Sequence, residues 1–167
     1  MKKAILAVCV VLLAGALQSQ VSDRIPFLGS RPDFLLAATM AMGLVLDPAL
    51  GAAFGFAAGL THASIAGASL GGIILSRTLL GFAASSVRAR VFQDNPLVLF
   101  ALALVGTIYC EGVYFLVDPT RSSMAALSQL PMESAYNAVL TVVCYLLVKG
   151  TMRRGRDVEP SGLRQTR

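Results

Sequence analysis

The chain has 167 residues, of which 56% are apolar and only 14% charged, with no tryptophan. A soluble domain of this length would carry roughly a quarter charged residues, so a soluble globular domain is excluded and an integral membrane protein is indicated. The formal charge of +5 does not argue for nucleic-acid binding, because six of the fourteen Lys and Arg lie at or beyond Lys149, and basic residues flanking membrane spans are expected on the cytoplasmic side.

Met1–Gln20 opens with Lys2 and Lys3 and continues as an apolar run. That pattern fits a cleavable signal peptide or a first span, Ala4–Val21, near the length a bilayer requires. Ser22–Asp33 is a loop containing Pro26, Gly29 and Pro32, with near-balanced charge. Phe34–Leu46 is apolar but about thirteen residues long, short for a span; it either crosses obliquely or takes in part of Arg31-Pro32-Asp33. Asp47-Pro48 signals an N-cap and first helical turn. Ala49–Ala66 is the third span, and Ala63–Gly72 a Gly/Ala/Ser break. Leu70–Val87 is the fourth, interrupted by Arg77. Leu97–Val117 is the fifth and contains Glu111. Asp118–Pro131 is a loop whose Met124–Leu130 piece is amphipathic enough to lie on the membrane surface. The sixth span runs from Pro131 or Met132 to Val148. The expected organisation is a six-helix transmembrane domain over 1–149 and a basic, disordered cytoplasmic tail over 150–167.

Small residues recur every fourth position at Gly51, Gly55, Gly59, Ala63, Gly67 and Gly71. On a helix this places them on one side, where they let neighbouring helices approach closely in a bilayer. The stripe is interrupted near Ala63–Ser69, so it should form two packing faces on successive helices. Six spans put both ends on one side. That side carries ten Lys and Arg, against Arg24, Arg31 and Arg121 opposite, which makes it cytoplasmic by the positive-inside rule.

A charge within the membrane normally pairs or faces a cavity. Arg77 lies seven residues beyond Leu70 and Glu111 six before Val117, both about 9–11 Å from their helix ends. An Arg77–Glu111 ion pair is therefore expected, with a proton- or substrate-binding role as the alternative. Tyr136 and Asn137 should hydrogen-bond across helices. His62, the sole histidine, reads as a polar helix end. Cys9, Cys110 and Cys144 sit in apolar runs without metal-ligand spacing and read as small hydrophobes. No nucleophile with a base, phosphate-cradling loop or carboxylate pair is present, so no enzyme, cofactor or metal site is expected.

In order along the chain, Leu17-Gln18-Ser19, Arg31-Pro32-Asp33-Phe34-Leu35-Leu36, Gly51, Gly55-Phe56-Ala57-Ala58-Gly59-Leu60, Gly67, Leu70-Gly71, Leu80-Gly81-Phe82, Gly106-Thr107, Glu111, Leu130-Pro131 and Ala135-Tyr136-Asn137-Ala138 resemble the bacterial rod shape-determining MreD family. The resemblance covers the first span, which favours its retention. It implies an all-α polytopic fold like the six-helix substrate-binding subunits of energy-coupling-factor transporters. It also implies a non-enzymatic subunit of the cell-wall elongation complex in the bacterial inner membrane, organising lateral peptidoglycan synthesis. Membrane lipids and an MreC-like bitopic protein are the implied contacts, with RodA, a penicillin-binding transpeptidase and the MreB filament in the same machinery. The competing function is a vitamin-binding transporter subunit; the missing Ala-xxx-Ala in the first helix and the scarcity of aromatics speak against it. The family pattern often has an acid where this chain has Ala63, beside His62, and Arg77 is not expected from it.

Overall fold

The computed structural model describes residues 2–24, 31–67, 70–88, 95–117 and 124–157. They form six helices: α1 (Lys2–Gln20), α2 (Phe34–Gly43), α3 (Pro48–Ala66), α4 (Leu70–Val87), α5 (Pro96–Val117) and α6 (Met124–Asp157), with a 3-10 turn at Ser22–Arg24. All but α2 are long and apolar enough to cross a membrane. The helices alternate in direction. The starts of α1, α3 and α5 share one face with the end of α6, here termed the terminal face; the far face carries the opposite ends.

The fold is built around its shortest helix. At ten residues, α2 is about 15 Å long, half of a hydrocarbon core of roughly 30 Å. Residues 35–43 are all buried, enclosed mainly by α1, α3, α4 and α6. This resolves the short second run. The helix starts at Phe34, so the Arg31-Pro32-Asp33 segment stays outside it, and it does not span. The expectation of six full spans is corrected to five long helices around a half-length one.

Because lipid tails are as apolar as leucine, helices in a bilayer associate through close packing and internal hydrogen bonds. The α3–α4 pair shows the consequence. A methyl on Gly59 would lie 2.8 Å from Ile74 Cα, and one on Gly55 would lie 2.9 Å from the Arg77 carbonyl carbon. A methyl on Gly51 would meet the Gly81 carbonyl oxygen at 2.6 Å. Backbone therefore lies against backbone along this crossing. The stripe continues to Ala63, which is buried with Ile73 and Tyr114. It then stops: Gly67 ends α3 in the left-handed conformation, φ 59°, which glycine adopts without a steric cost. Gly71 has open space where a side chain would stand, so the expected second packing face does not include it. The small residues that α4 sets against Gly51 are Gly81 and Ser85.

Asp47 caps α3 through a 3.1 Å bond from Leu50 N–H, with Pro48 in the first turn, as expected. The separate surface piece at Met124–Leu130 is not found. Those residues are the first turns of α6, which contains Pro131 and runs on through Asp157. Residues 158–167 lie outside the described part.

Candidate functional site

A helix that begins inside a bilayer has a specific problem. The N–H groups of its first turn have no partner in the helix, and hydrocarbon offers them none. In α2 side chains take over. Asp33 Oδ1 accepts from Leu36 N–H at 2.8 Å, Gln18 Oε1 of α1 accepts from Phe34 N–H at 2.8 Å, and Asn137 Oδ1 of α6 accepts from Asp33 N–H at 3.0 Å. Ser22 Oγ donates to the Pro32 carbonyl at 2.8 Å, fixing the segment just ahead of the helix.

The other carboxylate oxygen of Asp33 forms an ion pair with Arg77 Nη2 of α4. Both residues are at most 6% exposed. Arg77 Nη1 donates to Cys110 Sγ on α5 at 3.0 Å. His62 of α3 completes the group, its Nδ1 lying 3.5 Å from Asp33 Oδ2 and 3.3 Å from Arg77 Nη2. The buried N-terminus of α2 attracts negative charge, Asp33 supplies it, and Arg77 neutralises it. One carboxylate thus joins α2, α3 and α4, while α1 and α6 are tied to the same point through Gln18 and Asn137.

Three expectations are corrected here. Arg77 pairs with Asp33, and on α5 it contacts Cys110, the residue before Glu111. Glu111 itself is half-buried. His62 is more than a polar helix end, and Cys110 more than a small hydrophobe, because each touches the Arg77 guanidinium. Ala63 points away into the apolar cluster with Ile73 and Tyr114. The acid at this level of the bundle comes from Asp33 on α2. Asn137 bonds across helices as expected; Tyr136 is half-buried.

His62 stands fourteen residues beyond Pro48, about 21 Å from the terminal-face end of α3 and about 6 Å short of Ala66. The cluster accordingly lies in the far-face half of the bundle. Above it is a polar cavity of about 470 Å³, lined by Gln18, Ser22, Arg31, Pro32, Asp33, His62, Ile65, Ala66 and Glu133. Arg31 is exposed at its rim and Pro32 is buried in its wall. Of the residues singled out from the sequence, the structure brings Arg31, Pro32, Asp33, Arg77 and Asn137 together. Gly51, Gly55 and Gly59 act at a distance by seating α4 against α3. Ser22 and Glu133 do not stand out in the sequence, and Gln18 and His62 carry no sign there of belonging to this site. The available signal was the Asp33-Phe34-Leu35-Leu36 order, an N-cap residue leading directly into an apolar helix.

Asn137→Leu is expected to leave the buried Asp33 N–H without an acceptor. The cost should be about 1–3 kcal/mol, seen as a lower Tm in detergent, with Tyr136→Phe changing Tm far less.

Five long apolar helices around a buried half-helix make this a multi-pass α-helical membrane protein, with a polar cavity at one face and an ion pair beneath it. The family model for the rod shape-determining protein MreD matches residues 2–154, and the chain belongs to the MreD family. No curated relative and no solved structure matches it. Membership makes it a shape-determining membrane protein of a generally non-enzymatic family.

Proposed function

We propose that this protein is a scaffold subunit of the cell-wall elongation complex, and that its far-face cavity is the surface on which a periplasmic, MreC-type bitopic partner docks. Family membership over residues 2–154 carries the shape-determining role. The cavity supports the docking role, because its lining sets Arg31, exposed at the rim, near the carboxyl group of Glu133, and its wall includes the Pro32-Asp33 segment. The ion pair below holds that wall rigid. Charged groups at a rim set specificity and register more than affinity, which suits a scaffold. RodA, a transpeptidase and the MreB filament would be reached through the same assembly. The terminal face, with Lys3, Arg88 and Lys149, is cytoplasmic in this reading, and the basic residues beyond Lys149 face anionic lipid or cytoplasmic partners.

A cavity of this size also invites a second reading, the vitamin-binding subunit of an energy-coupling-factor type transporter. Small-molecule pockets are mostly apolar and aromatic with a few placed polar groups. Among the described residues the lining holds Gln, Ser, Arg, Asp, His and Glu, and no Phe, Tyr or Trp, which favours a protein partner. Depletion in the native host separates the two. Rounding of rod-shaped cells, reversed by re-expression, is the expected result. A vitamin requirement with normal rod shape would support the transporter reading.

A further inference from the structure

Helices α1 and α3 touch at one level and part at another. A methyl on Gly15 would lie 2.9 Å from Thr61 Cγ2, so the two are in contact toward the far face. Toward the terminal face they diverge and leave an apolar cleft of about 260 Å³. Its floor is Leu46 and Phe54, both at most 4% exposed. Alanines in its two walls, Ala7 on α1 and Ala53 on α3, keep it wide, and Lys3 stands at its mouth. From Lys3 to Leu12, where the lining of α1 ends, is nine residues. That is about 14 Å, close to half of the roughly 30 Å hydrocarbon core, or one leaflet.

We propose that this cleft binds one acyl chain of an anionic phospholipid in the terminal-face leaflet, with the lipid phosphate against Lys3 Nζ. Calling that leaflet cytoplasmic rests on the orientation proposed above; the lipid site itself does not. A cation at the mouth of an apolar slot one leaflet deep complements a negative headgroup on a hydrocarbon tail. A partner helix fits poorly. At about 10–12 Å across it would need to run the full membrane depth, and the Gly15–Thr61 contact closes the cleft midway.

The full chain, placed in nanodiscs of phosphatidylcholine and phosphatidylglycerol in equal parts, tests this by native mass spectrometry of the lipid it retains. The wild type should retain one tightly held lipid, phosphatidylglycerol over phosphatidylcholine by about fivefold, the worth of one basic side chain at an anionic surface. Lys3→Gln should bring the two lipids near parity while still retaining one. Ala53→Trp, which fills the cleft, should abolish retention, whereas Leu116→Trp, at a residue of α5 that is 84% exposed, should not. If circular dichroism shows that Ala53→Trp has lost helix, Ala7→Met narrows the cleft from the other wall and should give the same loss. Retention of the lipid in a folded, cleft-filling variant would overturn the proposal. So would an unchanged phosphatidylglycerol preference in Lys3→Gln. None of these outcomes bears on the rod-shape reading, which is scored by cell morphology.

Discussion

Asp33→Ala should be among the most damaging single substitutions in the chain, lowering stability in detergent by about 3–5 kcal/mol. The loss has two sources. Arg77, 4% exposed, would be left as an uncompensated buried charge, and the first turn of α2 would lose the oxygen that accepts from Leu36 N–H. Arg77→Met alone should be severe for the first reason's mirror image, a buried carboxylate without its cation. The double variant removes both charges, so its loss should fall short of the summed single losses by roughly 0.5–3 kcal/mol. The α2 cap would still be missing, which is why recovery should be partial. A parallel cycle of Arg77→Met with Glu111→Gln should show the smaller coupling, since the ion pair of Arg77 is with Asp33. Equal couplings in the two cycles would contradict the assignment.

Gly55→Val should be comparably destructive through a different cause. Its β-carbon would stand 3.0 Å from Thr78 Cα and 2.9 Å from the Arg77 carbonyl carbon. The obstacle is backbone, which no rotamer change can clear. Overpacking a tight site typically costs about 1–3 kcal/mol and more when nothing can yield, so α3 and α4 must separate. Arg77 sits on the displaced stretch of α4, so separation also pulls the guanidinium away from Asp33. Gly55→Val and Asp33→Ala should therefore be less than additive, although they lie on different helices. Gly71→Ala is the contrast: with open space around it, its effect should stay within about 0.5 kcal/mol. A Gly71→Ala loss as large as that of Gly55→Val, measured as Tm and membrane abundance, would sink this account of the stripe.

The long helices were legible because bilayer crossing imposes a length and an apolar composition that a single chain displays directly. Predicted spans at 49–66, 70–87 and 97–117 differ from α3, α4 and α5 by at most one residue at either end. The four-residue spacing of Gly51, Gly55 and Gly59 was legible for the same reason, since helical periodicity is local. Pro131 reads as a boundary in the sequence but lies inside α6. Proline removes only one helical hydrogen bond, and a membrane helix can carry it where neighbouring groups make up the loss.

The ion pair was not legible, because it depends on depth, and depth was judged from distance along each helix. Asp33 precedes the first turn of α2 and reads as a loop residue. It is buried because α2 is only half as long as the helices around it, so its N-terminus lies below the level at which α3 ends and α4 begins. That brings Asp33 to His62 and Arg77 across 29 and 44 positions of sequence. Glu111 matched Arg77 in depth, but depth alone does not fix which side of a helix faces which neighbour.

We propose that rod shape depends on the far-face cavity held over the Asp33–Arg77 pair. Rescue of cell shape after depletion of the native protein tests it most directly, with the wild type and Arg31→Glu expressed to equal membrane abundance. Arg31 is exposed at the cavity rim, and an unchanged Tm in detergent is the control that its reversal leaves the fold intact. The wild type should restore rods, and Arg31→Glu should leave cells rounded or widened. Rods of normal width with Arg31→Glu would contradict the claim.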